Sequence, residues 1–115
     1  MCSSDLAAKY NVANNYATYE ELLNDSKIDV IYITTLNQQH IDFTIAALNA
    51  GKHVLCEKPF AKDAAEAKAM LGAAERAGRV HLIGHEFRFV PMRAAITRAV
   101  AEGMIGAPKL SRSLA

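Results

Sequence analysis

Glu57, Lys58 and Pro59 close the segment 53–59, H-V-L-C-E-K-P, and set an acid and an amine side by side at the end of an apolar run. A buried strand on its own would not finish this way, and proline, which has no N–H to donate to a ladder, commonly ends one. An earlier apolar run, 28–35, I-D-V-I-Y-I-T-T, also ends in polar side chains, Thr34 and Thr35. Read as parallel strands, both runs bring these side chains to the carboxyl edge of a sheet, where open α/β sheets bind their ligands. The plain alternative for Glu57 and Lys58 is a solvated, salt-bridging turn after a strand.

The elements needed to hold that edge alternate along the chain, which predicts βαβ units and a parallel sheet. Residues 7–10 read as the last turn of a helix. Thr18 offers an N-cap with Glu21 three positions on, the spacing of a capping box, before a short helix to about Asp25 that turns Leu22 and Leu23 inward. A strand over 28–33 leads to a helix over 38–50 with Ile41, Ile45 and Leu48 on one face. Gly51 stands where a left-handed C-cap is needed, and 53–56 resumes the extended pattern, completing a right-handed crossover. The scheme then repeats. Asp63 caps a helix with Glu66 at its third position, Ala67, Met70, Leu71 and Ala74 line it, Gly78 ends it, and 80–83 is the next strand. A last helix starts near Pro91, turns Met92, Ile96, Ala99 and Val100 inward and stops at Gly103, with a further strand begun over 109–114.

The 115 residues suffice for one domain core, and a formal net charge of +1 gives no basic field for nucleic acid or an anionic membrane. No apolar stretch approaches the roughly 20 residues that span a bilayer, and no secretory leader is recognisable, so a cytoplasmic protein is expected. Cys56 reads as a reduced core thiol, and no spacing of the four histidines and two cysteines suggests a metal site. Residues 1–6, M-C-S-S-D-L, read as a non-native leader outside the fold. The strand 28–33 is too apolar for an unprotected edge, so a neighbour on its N-terminal side is expected.

Three motifs in order, T-T-L-N-Q-Q-H over 34–40, A-G-K-H-V-L-C-E-K-P over 50–59 and G-H-E-F-R-F-V-P over 84–91, resemble the nucleotide-binding domain of the Gfo/Idh/MocA oxidoreductases. The likeness spans nearly all of 7–115, including E-G-M-I-G over 102–106. It implies an α/β fold: a partial, doubly wound, Rossmann-like parallel sheet missing its first β-α-β unit. The glycine fingerprint G-x-G-x-x-G is absent from the sequence and would precede residue 7, while a substrate domain would follow residue 115, so the resemblance implies a chain truncated at both ends and inactive by itself.

The resemblance further implies hydride transfer between NAD or NADP and a hydroxyl carbon of a sugar, cyclitol or related polyol, in a parent that is a homo-oligomer. Lys58 would be catalytic, close to the nicotinamide and the substrate hydroxyl, where a positive charge stabilises developing alkoxide. Glu57 would hold ribose hydroxyls. Thr34, Thr35 and Asn37 would line the pyrophosphate and ribose path, with ordinary helix capping the alternative for all three and strongest for Asn37. His40 and Arg88 would count among the cofactor-binding residues: His40 would orient the loop one turn into its helix, with a purely structural histidine as its alternative, and Arg88 would lie near the nicotinamide side, with a surface salt bridge as its alternative. Leu36 replaces a common proline, and His85 and Glu86 replace an aromatic and an amide. His53 and His81 fall within strands and read as packing or satisfied polar residues. Some relatives bind the dinucleotide as a signal, so a non-catalytic regulatory protein is the other reading.

Overall fold

The computed structural model describes residues 3–109. The chain divides after Gly84 into two compact units. The first begins with α1 (Ser3–Lys9), which starts inside the segment read as a leader, and α2 (Tyr19–Asn24). The Thr18 hydroxyl accepts from the Glu21 N–H at 3.2 Å, as the capping spacing predicts, while the Glu21 carboxylate accepts from the Ala17 N–H at 2.9 Å, one residue before the N-cap.

The sheet follows, with β1 (Val30–Ile33), β2 (His53–Cys56) and β3 (His81–Ile83) side by side in chain order, both pairs parallel. Between them run α3 (His40–Asn49), entered through a short 3-10 turn at Asn37–Gln39, and α4 (Ala64–Ala77). β2 has the expected bounds, whereas β1 starts two residues and β3 one residue later than the apolar runs suggest. Alternation assigns the faces: Ile31, Ile33, Val54 and Cys56 are buried against the helices, whereas Val30, Tyr32 and Leu82 face outward and are exposed.

Ala47 and Leu48 of α3 and Met70, Ala73 and Ala74 of α4 complete the core. Each helix stops at a glycine in the left-handed region, Gly51 and Gly78. Past α3, the Lys52 N–H donates to Ala47 O and the Gly51 N–H to Leu48 O; past α4, Arg79 and Gly78 donate to Ala74 O and Glu75 O in the same way. Both are Schellman closures, which favour glycine because the left-handed conformation carries no Cβ penalty there.

Three packing expectations need correction. The innermost stripe of α3 is His40, Thr44, Ala47 and Leu48, while Ile41 and Ile45 are only partly buried on its flank. In α4, Ala73 lies inside and Leu71 is exposed. The second unit holds a 3-10 turn at Glu86–Phe89 and α5 (Pro91–Ala101), with Pro91 at the first helical position. Its apolar residues are expected to face inward, yet Met92 is 72% exposed and Ile96 57%, because the turn, the only other element of that unit among the described residues, is too short to cover a helix face. The strand expected over 109–114 falls almost wholly outside the described residues.

Candidate functional site at the carboxyl edge of the sheet

One row beyond the last paired residues Ile33, Cys56 and Ile83 stand Thr34, Glu57 and Gly84. The backbone carries the ladder this far: the Glu57 N–H donates to Ile33 O at 2.9 Å and the Gly84 N–H to Cys56 O at 2.8 Å. By the two-residue period, Glu57 emerges on the same outward face as Tyr32, one strand over and diagonal to it. The Tyr32 hydroxyl donates to Glu57 Oε1, and the Lys58 N–H donates to Glu57 Oε2 at 3.0 Å. These two bonds, with the nearby Lys58 and His40 charges, hold the Glu57 carboxyl below its ordinary pKa, the Tyr32 bond first among the causes. Gly84 completes the seat: a Cβ there would lie 3.2 Å from Oε1 and 3.4 Å from Oε2.

Lys58 is exposed, and its ammonium makes no hydrogen bond or salt bridge among the described residues, where the ion pair found is Lys62–Glu66 at 2.6 Å. The salt-bridging turn is therefore not what forms. Thr34 and Thr35 are exposed beyond β1 and border an open cleft of about 640 Å³ lined also by Tyr16, Thr18, Tyr32 and Phe43. Asn37 opens the 3-10 turn, and Leu36 stands in the cap position with no side-chain cap, so Asn37 is not the capping residue of its alternative.

His40 is placed differently from a ligand-contacting residue. It is only 1% exposed, with Nδ1 2.9 Å from Pro59 O and Nε2 3.2 Å from Thr35 O. One ring thus ties the loop after β1 to the loop after β2, which suits the loop-orienting role rather than direct contact with a cofactor. Periodicity could not find this, since it treats a histidine on a helix as surface.

Arg88 belongs to the second unit, where its guanidinium lies 5.7 Å from the Phe89 ring centre and forms no salt bridge among the described residues. His53 accepts from the Val80 N–H at 3.0 Å, a satisfied polar residue as expected. Cys56 is fully buried and free, and burial pushes its thiol pKa up, which suits an inert core position. Among the described residues no group of three His, Cys, Asp or Glu side chains could hold a metal ion, and no helix is long and apolar enough to cross a membrane.

The model of the Gfo/Idh/MocA family, described as an oxidoreductase family with an NAD-binding Rossmann fold, matches residues 2–85. The chain belongs to this family. It is 40% identical over 106 residues to the 1,5-anhydro-D-fructose reductase of Ensifer adhaerens, an alignment covering 92% of the chain and 32% of that protein. A solved NAD-binding oxidoreductase from Klebsiella pneumoniae superposes with a TM-score of 0.86 at 37% identity, covering 92% of the chain and 28% of that structure. Levoglucosan dehydrogenase in complex with NADH and levoglucosan superposes with a TM-score of 0.85 at 34% identity, covering 90% and 28%. The chain therefore spans about a third of the length of the curated relatives it matches.

The residues present fit a dinucleotide on their own chemistry. A carboxylate offers about four acceptor positions, and Tyr32 and the Lys58 N–H use one on each Glu57 oxygen. A position stays open on each, which is what two vicinal ribose hydroxyls require.

Proposed function

We propose that this Gfo/Idh/MocA domain serves an NAD- or NADP-dependent dehydrogenase acting on a hydroxyl carbon of a sugar, cyclitol or related polyol. The observation that carries this is the pairing of a seated carboxylate, Glu57, with an adjacent ammonium, Lys58, whose donors are unspent, at the carboxyl edge of a parallel sheet. The sugar dehydrogenases and reductases among its relatives support the substrate class.

The nicotinamide, when bound, supplies the hydride acceptor or donor. Glu57 binds ribose hydroxyls and fixes the cofactor along the edge. Lys58 stabilises the alkoxide oxygen that develops as the substrate hydroxyl loses its proton, a charge greatest in the transition state. Thr34 and Thr35 line the approach beside β1, with Asn37 on the following turn. His40 holds the two loops in register.

The test is an assay of the longest native polypeptide carrying this chain, with NAD and NADP in turn and a panel of sugars and cyclitols, followed by absorbance of the reduced cofactor. Turnover of a polyol is expected. Tight dinucleotide binding with no turnover on any substrate would instead favour the regulatory protein.

A further inference from the structure

We infer that Tyr32 is a positioning residue: with Gly84 it seats the Glu57 carboxylate so that the two acceptor positions left over present themselves to a vicinal diol. Nothing in the sequence motifs points to Tyr32, which lies mid-strand among apolar residues. Its side chain, like that of Val30, faces outward and is half-exposed, while Ile31 and Ile33 between and beyond them are buried.

The geometry rests on three contacts from three adjacent strands. From β1, the Tyr32 hydroxyl donates to Oε1. At the end of β2, the backbone N–H of Lys58 donates to Oε2 at 3.0 Å. Beyond β3, Gly84 leaves room where a Cβ would stand 3.3 Å from the carboxyl carbon, closer than a neighbour comfortably allows. A glutamate has three rotatable side-chain bonds and in water samples many rotamers, so an unsupported carboxylate would have to be ordered each time a ligand bound. Here that ordering is already done. The phenol also has no role in the core: its ring lies on the sheet face opposite α3 and α4.

Three residues bear on the charge of this carboxylate: Tyr32 from β1, Lys58 beside it through both its N–H and its ammonium, and His40 from α3. Its pKa is lowered, so the carboxylate form that accepts hydroxyl protons persists below the ordinary glutamate range and is lost as pH falls through the lowered value. Replacing Tyr32 by phenylalanine removes the first of the causes. The pH at which ligand affinity falls off should then move upward, toward the ordinary value.

The inference rests on the cofactor-binding role given to Glu57, and the experiment separates the two. NADH affinity is measured by fluorescence titration across the acid range for the longest native polypeptide carrying this chain and for Tyr32→Phe, Glu57→Gln and the double variant. Glu57→Gln should weaken NADH about tenfold or more, and Tyr32→Phe about threefold to tenfold, as loss of one hydrogen bond to a charged group implies. The double variant should be no weaker than Glu57→Gln within about twofold, because a residue acting through Glu57 has nothing left to act on. Tyr32→Phe alone should also raise the pH at which affinity is lost. If Glu57→Gln leaves affinity intact, the ribose role of Glu57 fails and the inference with it. If Glu57→Gln weakens binding but Tyr32→Phe does not, or the two losses multiply, Glu57 keeps its role and Tyr32 loses the one assigned here.

Discussion

Lys52 and Lys58 bracket β2, and the same side chain meets opposite fates at the two ends of one strand. Lys52 is 8% exposed, and its ammonium donates to Asp25 O and Ile28 O, each at 2.8 Å, stapling the turn before β1 to the start of β2. Lys58 is exposed, with its ammonium unspent and a fixed carboxylate beside it. At the amino end, the connecting turn leaves carbonyls pointing at one spot, and the lysine satisfies them. At the carboxyl end, the neighbouring carbonyls of Thr35 and Pro59 face His40 instead, so no backbone acceptor claims the ammonium. A buried lysine spent on backbone is part of the fold; an exposed one with all three donors free is available to a ligand.

The contrast is sharpest if each lysine is replaced by methionine, which keeps the stem and removes the charge. Lys58→Met in the longest native polypeptide carrying this chain should cut kcat on the order of 10²-fold or more and leave NADH affinity within a few-fold, as loss of a transition-state contact does. Steady-state kinetics with fluorescence titration on one preparation checks this; a near-normal kcat would remove Lys58 from the reaction. Lys52→Met should show the reverse pattern, with about 2 kcal/mol lost in denaturant unfolding and kcat per folded molecule unchanged.

A smaller effect probes the packing of α2 on α3. The half-buried Tyr19 hydroxyl donates to Phe43 O at 2.8 Å, and burial pushes its phenol pKa up to about 12. A raised pKa in the folded state means stability present below the unfolded value near 10 and lost as pH rises from there toward about 12. Unfolding measured across that window should show the decline in the wild type and a flatter profile in Tyr19→Phe. The smallest effect belongs to residues 1–6, proposed to lie outside the fold although α1 begins within them. Their deletion should change unfolding by less than about 1 kcal/mol.

Local chemistry was legible in the sequence. The Thr18–Glu21 and Asp63–Glu66 caps and the stops at Gly51 and Gly78 were readable because each is closed by residues a few positions apart. The carboxyl edge was legible too, since two apolar runs ended in polar side chains in register. What escaped was polar and non-local. His40 occupies the inside of α3 because carbonyls from two loops satisfy it, and Lys52 is buried by acceptors from before β1. Neither partner is visible to a periodicity that scores each side chain by hydropathy. Tyr32 was missed for another reason: counting two residues along parallel strands would have set it diagonal to Glu57, but only once the register Tyr32–Leu55 was known.

A crystal structure of the longest native polypeptide carrying this chain, soaked with NADH, decides whether the carboxyl edge around Glu57 and Lys58 is the cofactor site. The expected result is a ribose whose two hydroxyls lie within hydrogen-bond distance of the Glu57 carboxylate, one on each oxygen, with Tyr32 still bonded to Oε1 and the Lys58 ammonium beside the nicotinamide. NADH bound with its riboses away from Glu57 and its nicotinamide away from Lys58 would contradict the assignment of this edge as the site.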